Sequence, residues 1–239
     1  MIGTGTIINS LAIVIGGCIG ILLKNLFSLS MQDGLKKACG ISVMFIAIAG
    51  AMEGMIKISE AALVAEKSML VVLCMTLGTF IGEAIGIDKI FESFGIWLKN
   101  KTGNKSDGSF INAFITASFT VCIGAMAIVG AIEDGLRGDF SILAVKSILD
   151  FIIVAVLASS IGKGAIYSAV PVFILEGSIT LLAKFISPLM TEIAINYIGL
   201  VGSILIFCVG INLIWDNKIK IANMLPALIL AVVFAYFKL

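Results

Sequence analysis

Two charges of opposite sign lie inside one apolar stretch, SILAVKSILDFIIVAVLASS at 141–160. Lys146 and Asp150 are four residues apart, so on a helix they share a face one turn from each other. A charge at the bilayer centre costs at least about 2.5–3.5 kcal/mol on insertion scales, so it must face protein or water. We therefore expect Asp150 to bind a monovalent cation or a proton, with Lys146 as its partner. A structural pair is the alternative: Lys146 extends toward the surface and Asp150 bonds a neighbouring helix.

Glu176 is a second carboxylate deep in an apolar segment, between Pro171 and Gly177. A kink at Pro171 would interrupt the helix there, and broken helices expose backbone groups that bind ions. A glutamate bonded to a neighbouring helix fits the same pattern.

Further polar side chains in or near the apolar segments could complete a binding site or join helices by hydrogen bonds. They are Asn9, Asn112, Thr116, Asn212 and Asn223. Three acidic residues near segment ends are secondary candidates: Glu83, Asp134 and Asp139. The last two belong to IEDGLRGDF at 132–140, which the glycines predict to be a tight turn.

The composition indicates what surrounds these residues. Of the 239 residues, 60% are hydrophobic and 13% are charged, against about 25% charged in soluble proteins. This composition predicts an integral membrane protein that forms a single membrane domain. The net charge of +1 argues against a nucleic-acid partner. The chain has no histidine, which removes the usual nucleophile pairs and zinc motifs, so we expect no enzyme activity, no metal site and no cofactor.

An all-α, multi-pass architecture follows from runs long enough to cross a bilayer core of about 30 Å. Eight segments qualify: 5–23, 38–56, 69–87, 111–132, 142–161, 164–186, 198–215 and 221–237. The uncharged run 111–132 is the clearest span, and Pro171 and Pro226 should kink theirs. One re-entrant segment would leave seven spans. The pattern indicates no β-strands.

Lys and Arg are distributed unevenly between the two sides of this topology. Alternating through eight spans, ten fall on one side and six on the other, which predicts that both termini face outside. The polar insert 88–109 carries Ile90, Phe91, Phe94, Trp97 and Leu98 on one helical face. This pattern favours an amphipathic helix on the cytoplasmic membrane surface, or one packed on the protein's own loops.

Glycines are frequent, and many are four residues apart, as in Gly16/Gly20 and Gly78/Gly82. This spacing favours close helix packing and homo-oligomers. Three apolar segments eighty residues apart also share a glycine, Gly50, Gly130 or Gly210, which suggests internal repeats of the kind seen in transporters.

Several stretches together resemble a known family. They include GTIINSLAIVIGGCIG at the N-terminus, GTFIGEAIGIDKIFESFGIWLK, GAMAIVGAIEDGLRGD and NMLPAL. They are similar to the bacterial membrane-protein family catalogued as domain of unknown function 554, with YqgA/YdfK-like members. The resemblance covers nearly the whole chain and implies a multi-pass inner-membrane protein, often labelled a candidate transporter without a defined substrate.

The function hypothesis is an ion-coupled secondary carrier of a small solute or ion, with Asp150 and Lys146 in the site. An oligomeric channel is one alternative and a non-transporting membrane scaffold is another. An isolated deep acid beside a broken helix favours the carrier, because channels more often use rings of like charge or carbonyls.

Overall fold

A computed structural model describes residues 2–24, 26–59, 62–104, 107–215 and 218–237. Its helices are α1 Thr4–Lys24, α2 Leu29–Met55, α3 Ser68–Ile85, α4 Ile87–Lys101, α5 Phe110–Cys122, α6 Ala125–Arg137, α7 Ser141–Ile161, α8 Ala169–Leu181, α9 Ala183–Ile186, α10 Glu192–Trp215 and α11 Pro226–Phe237. Short 3₁₀ segments span Lys163–Ser168, Ser187–Leu189 and Ile221–Met224, and two strands span β1 Ile56–Ser59 and β2 Ala62–Ala65.

Six helical segments of the described chain are long and apolar enough to cross a membrane. They are Thr4–Lys24, Leu29–Met55, Ser68–Ile85, Ser141–Ile161, Lys163–Leu181 and Glu192–Trp215. The pair α5 and α6 makes a seventh if it is one bent span, and Ile221–Phe237 is a shorter apolar helix. The multi-pass helical membrane architecture is therefore confirmed, whereas the count of eight spans and the internal repeats stay predictions.

The segment expected to be the clearest span is broken. Within 111–132, α5 ends at Cys122 and α6 begins at Ala125, and the two are bent by 63°. The break contains Gly124 at φ +150°, a conformation that residues with a Cβ rarely adopt. Hydropathy reports whether a segment is apolar and is insensitive to backbone direction, so it gives no sign of this break, and the crossing of the membrane by 111–132 stays a prediction.

The expected proline kinks are also absent. Pro171 is the third residue of α8, where the amide that proline lacks would have no partner inside the helix anyway. Glu176 therefore lies on a continuous helix, and the irregular backbone is the 3₁₀ segment Lys163–Ser168 before it. Pro226 is the first residue of α11 and starts that helix without kinking it.

Two further local predictions were wrong. Residues 132–137 of the expected turn continue α6, which ends at Gly138 with φ +69°, and Glu133 pairs with Arg137 at 3.1 Å. Strands β1 and β2 form an antiparallel hairpin between α2 and α3, with Ile56 opposite Ala65. Each strand has only four residues, too few for a clear alternation in the sequence.

Glycines allow the tightest helix contacts, in agreement with the prediction of glycine-rich packing. The most extensive contacts join α1 to α7 and α2 to α10. At Gly16 of α1, a Cβ would overlap the carbonyl oxygen of Phe151 in α7. At Gly82 of α3, it would overlap the carbonyl of Asn223. Backbones approach this closely only where one residue has no side chain.

The amphipathic helix α4 divides its apolar face between two environments. Phe91 packs on Phe119 of α5 with ring centroids 4.9 Å apart, and Phe94 packs on Phe114 at 5.8 Å. Ile90 and Trp97 remain exposed. The inner part of this face thus packs on the protein, and the role of the exposed part at a membrane surface stays a prediction.

Candidate functional site

Four of the predicted site residues meet in the interior, and we call them the charged cluster: Asn9, Lys146, Asp150 and Glu176. Lys146 Nζ forms an ion pair with Asp150 one turn along α7, and lies 3.5 Å from Glu176 Oε1 on α8. Asn9 Nδ2, on α1, donates a hydrogen bond of 2.8 Å to the same Oε1 atom. All four residues are at most 6% exposed. The cluster joins α7 and α8 to α1, which lies more than a hundred residues earlier in the sequence.

The charged cluster contains one cationic group and two carboxyl groups. Among the buried side-chain atoms that the structure describes, Glu176 Oε2 and Asn9 Oδ1 have no hydrogen-bond partner. Buried polar atoms normally have at least one, because a missing bond costs about 1–3 kcal/mol. The cluster is therefore short of hydrogen-bond donors, or of positive charge.

The break between α5 and α6 reaches the charged cluster. Lys146 Nζ donates to the carbonyl oxygen of Val121 at 2.8 Å. Val121 lies in the last turn of α5, where carbonyl groups have no partner inside the helix. Lys146 thus satisfies a backbone group that the break exposes. No spacing in the sequence predicts this contact, and Gly124 inside a long apolar run is the one signal of the break.

A cavity of about 650 Å³, here cavity A, extends from the β-hairpin end of the molecule to the charged cluster. Glu53 and Lys67 line its hairpin end, and Lys146 and Asp150 line its deep end. The break at Gly124 forms part of its wall. The Lys146–Asp150 pair, although buried, therefore borders a space of the size that binds small molecules.

A second cavity of about 410 Å³, cavity B, lies toward the other end of the molecule. Its polar lining includes Asp88, Glu92 and Lys220 near the surface, and Asn112 and Thr116 deeper inside. Thr116 Oγ1 and Asn112 Oδ1 are 3.3 Å apart in a hydrogen bond that Thr116 donates. These two predicted site residues therefore lie away from the charged cluster.

The two cavities follow the same pair of helices. On α5, several residues between 111 and 119 line cavity B, and residues 120 and 121, with 123 and 124 of the break after α5, border cavity A. On α10, Ile206 lines cavity A and Val209 lines cavity B, an interval of about 4.5 Å along the helix axis. Phe119 and Val209 are at most 4% exposed. A layer about one helical turn thick therefore separates the cavities.

Two of the remaining predicted site residues hold local structure. Asn212 Nδ2 donates to Ile219 O at 2.7 Å, and its Oδ1 accepts from Ile219 N at 2.9 Å, which ties the end of α10 to the segment after it. Asn223 Oδ1 accepts from the Asp88 amide at 2.7 Å, at the start of α4. Asn212 also borders cavity B.

The acidic secondary candidates have partners within the protein. Asp134 is fully buried and accepts from the amides of Gly3 and Gly5 at 3.2 and 2.9 Å, so it caps the start of α1. Asp139 accepts from Ser141 Oγ and its amide, and these bonds hold the pKa of the Asp139 carboxyl below its usual range. Glu83 lies 3.8 Å from Lys220, at the surface.

Comparisons with known proteins cover almost all of this architecture. The model of the family described as "Protein of unknown function (DUF554)" matches residues 4–236. Uncharacterized membrane protein YdfK of Bacillus subtilis (strain 168) is 30% identical over 227 residues, which are 95% of this chain and 93% of the relative. Uncharacterized protein YqgA of Escherichia coli (strain K12) is 27% identical over 231 residues, or 95% and 94%. No solved structure matches. This multi-pass membrane protein, with its charges buried at a helix break, therefore belongs to the DUF554 family.

Proposed function

We propose that this protein is an ion-coupled secondary carrier of a small solute or ion in the bacterial inner membrane, without enzyme activity. The observation that carries this proposal is cavity A, because it brings the Lys146–Asp150 pair into contact with a space the size of a small ligand. A pair with a purely structural role would need no cavity beside it.

The arrangement of cavities A and B supports alternating access. A carrier exposes one site to each side of the membrane in turn, by moving one helix group against another around that site. Here the two cavities lie end to end along α5 and α10, separated by the layer that contains Phe119 and Val209. A local change at this layer would close cavity A and extend cavity B toward the charged cluster.

The break between α5 and α6 is where the change that closes cavity A and extends cavity B would take place. Broken helices near the site are common in carriers, because their free backbone groups contact substrates and ions and their two halves can move separately. The 63° bend between α5 and α6 lies beside Lys146, which binds the free carbonyl of Val121. A ligand that changes the partners of Lys146 would therefore act directly on the break.

A thiol-labelling experiment tests this proposal. Thr116→Cys lies in cavity B and Ser203→Cys lies in cavity A. Each is introduced after the five native cysteines have been replaced by serine or alanine. In sealed vesicles, a membrane-impermeant maleimide should reach the two positions from opposite sides. Conditions that favour one state, such as a pH or cation gradient, should raise labelling at one position and lower it at the other.

Two other results would contradict the carrier. Labelling of both positions from both sides at once would mean a continuous pore, as in the channel alternative. Labelling that no ion, pH or solute changes, together with the absence of flux in reconstituted vesicles, would favour the scaffold. Cys18, which is exposed on the outer face of α1, serves as a matched control in the single-cysteine protein that retains it. Its labelling should not follow either cavity position.

A further inference from the structure

Two oxygen atoms of the charged cluster have no hydrogen-bond donor among the described residues. They belong to Asn9 and Glu176, whose side chains are already in contact. Asn9 Nδ2 donates to Glu176 Oε1 at 2.8 Å, so the amide and the carboxyl group face each other. The remaining oxygen of each group, Asn9 Oδ1 and Glu176 Oε2, has no partner in the described structure. A carboxylate has only acceptors, whereas a protonated carboxyl group has one donor.

The charge balance of the cluster also indicates that one carboxyl group is protonated. Lys146 is closer to Asp150 than to Glu176 and forms its ion pair there. With both carboxyl groups ionised, the cluster would carry one uncompensated negative charge in the apolar interior, a state that proteins avoid by neutralising the group. Glu176 is 1% exposed and does not border cavity A, so water does not compensate its charge.

We propose that Glu176 is the proton-binding residue of this carrier and that it is protonated in the conformation described here. The proton lies on Oε2 and is donated to Asn9 Oδ1, which closes a two-bond acid–amide pair with the existing bond from Asn9 Nδ2 to Oε1. This inference rests on the proposed function for its role in coupling. It replaces Asp150, the residue expected from the sequence, as the proton carrier.

One proton accounts for both orphan oxygens, whereas a bound metal cation would need several more oxygen ligands. In the described part of the chain, no three Cys, Asp or Glu side chains are grouped as metal ligands. The neutral amide of Asn9 also interacts with Asp150, so it lies between the two carboxyl groups. Asp150 borders cavity A and is the group through which the proton passes between water and Glu176.

Other ionisable groups lie near Glu176, and their protonation could be mistaken for protonation of Glu176. Lys146 and Asp150 on α7, and the Cys122 thiol on α5, interact with it electrostatically. On α6, Asp134 is bonded to Gly3 and Gly5, while Glu133 and Arg137 pair with each other. The variants tested must therefore separate Glu176 from Asp150.

Loss of the proton would change the partners of Lys146. An ionised Glu176 attracts the ammonium group that already lies 3.5 Å from Oε1, at the expense of Asp150. The bond from Lys146 to Val121 O would change with it, and this bond is at the break between α5 and α6. Proton release is thereby linked to the element that separates the two cavities.

Infrared difference spectroscopy of the purified full-length protein tests the assignment. A protonated carboxyl group buried in protein gives a separate C=O stretching band that ionised carboxylates lack. We expect this band at neutral pH in the wild type, and its loss in Glu176→Gln. It should keep its frequency in Asp150→Glu, a variant that retains one cation and two carboxyl groups in the charged cluster, whereas Glu176→Asp should shift it. Glu133→Gln is the matched control, since Glu133 is partly exposed and paired with Arg137, and this variant should also retain the band.

Asn9→Ala keeps the test informative if Glu176→Gln does not fold. This variant removes the donor to Oε1, so the band should remain but move to higher frequency as the C=O group loses its hydrogen bond. A band that shifts in Asp150→Glu and keeps its frequency in Glu176→Asp would overturn the proposal in favour of Asp150. No band in the wild type at any pH, with stabilisation by Na⁺ or K⁺, would overturn it in favour of a metal cation. Since the spectrum needs no flux, the proton site and the carrier function can fail separately.

Discussion

At the residue scale, Lys146 does more than its spacing from Asp150 indicates. It binds Asp150, approaches Glu176 and donates to the carbonyl of Val121, so it connects α7 to α8 and to the break after α5. The sequence suggested that its side chain could extend toward the surface. That alternative is excluded for the described conformation, because Lys146 is 6% exposed and its ammonium group is bonded inside the protein.

The ion pair gives the first residue-scale prediction. Lys146→Met should lower the free energy of unfolding by about 3–5 kcal/mol, because it leaves Asp150 buried without its cation. The double variant Lys146→Met/Asp150→Leu should recover most of that loss, since apolar replacements of a buried pair are often neutral. Denaturation in mixed detergent micelles measures both.

Flux in reconstituted vesicles separates stability from function for these two proteins. The carrier hypothesis expects the double variant to be stable and inactive. A stable double variant that transports like the wild type would remove the ion pair from the mechanism.

The second residue-scale prediction concerns Asp134, which the sequence offered as an ion-binding candidate. Asp134→Ala leaves the amides of Gly3 and Gly5 without their partner, so the free energy of unfolding should fall by about 1–3 kcal/mol. Asp139→Ala is the matched control: it removes a similar cap from Ser141 at an exposed position and should cost less. Transport per folded molecule should be unchanged in both, as measured by flux normalised to folded protein. A selective loss of flux in Asp134→Ala would contradict this and show that Asp134 takes part in transport.

At the element scale, the contact between α1 and α7 positions the charged cluster. Asn9 on α1 and Asp150 on α7 belong to the cluster. Gly16, which has no side chain, allows the two backbones to approach closely beside Phe151, the residue after Asp150. The distance between α1 and α7 therefore determines where Asp150 lies relative to Asn9 and Glu176.

Gly16→Ala tests that contact. Its methyl group overlaps the Phe151 carbonyl, so α7 must move away from α1, and we expect a loss of about 1–3 kcal/mol in stability. Gly34→Ala is the matched control, because a Cβ at this helical glycine meets nothing within 4 Å. It should be neutral or stabilising by about 0.5–1 kcal/mol. Thermal unfolding in detergent compares the two, and equal melting temperatures would mean that α1 and α7 do not need this close approach.

At the scale of the whole molecule, the contacts between loop residues define two ends. Lys220 lies near Glu83 and Asp88 at one end, and Gly3 binds Asp134 at the other. These contacts agree with the alternation of sides that was assumed when Lys and Arg were counted. In that count, ten of the sixteen basic residues lie on the same side as Lys220. The excess predicts that this end faces the cytoplasm.

The orientation is checked by labelling intact cells with an impermeant maleimide. In a cysteine-free background, Lys184→Cys should react in intact cells, and Lys101→Cys should react only after the membrane is opened. Both side chains are exposed in the structure, so access to the membrane side decides the result. The reverse pattern would place the termini in the cytoplasm and invert the sides of cavities A and B.

The sequence by itself determined the class of structure and most of the helices. The low fraction of charge, the long apolar runs and the frequent glycines each depend on local composition, which the bilayer selects directly. The same reasoning marked Lys146, Asp150 and Glu176, since a charge in an apolar segment needs a partner wherever the segment packs.

Only the tertiary structure decided which polar residues form one site. Asn9 and Glu176 meet although 167 positions separate them, whereas Asn112, Asn212 and Asn223, equally polar in sequence, serve cavity B or the ends of helices. The break at Gly124 was invisible to hydropathy, because both halves are apolar and the bend depends on a backbone angle. A side chain's partners depend on helix rotation and crossing, which are set by contacts between distant segments and leave no local pattern in the sequence.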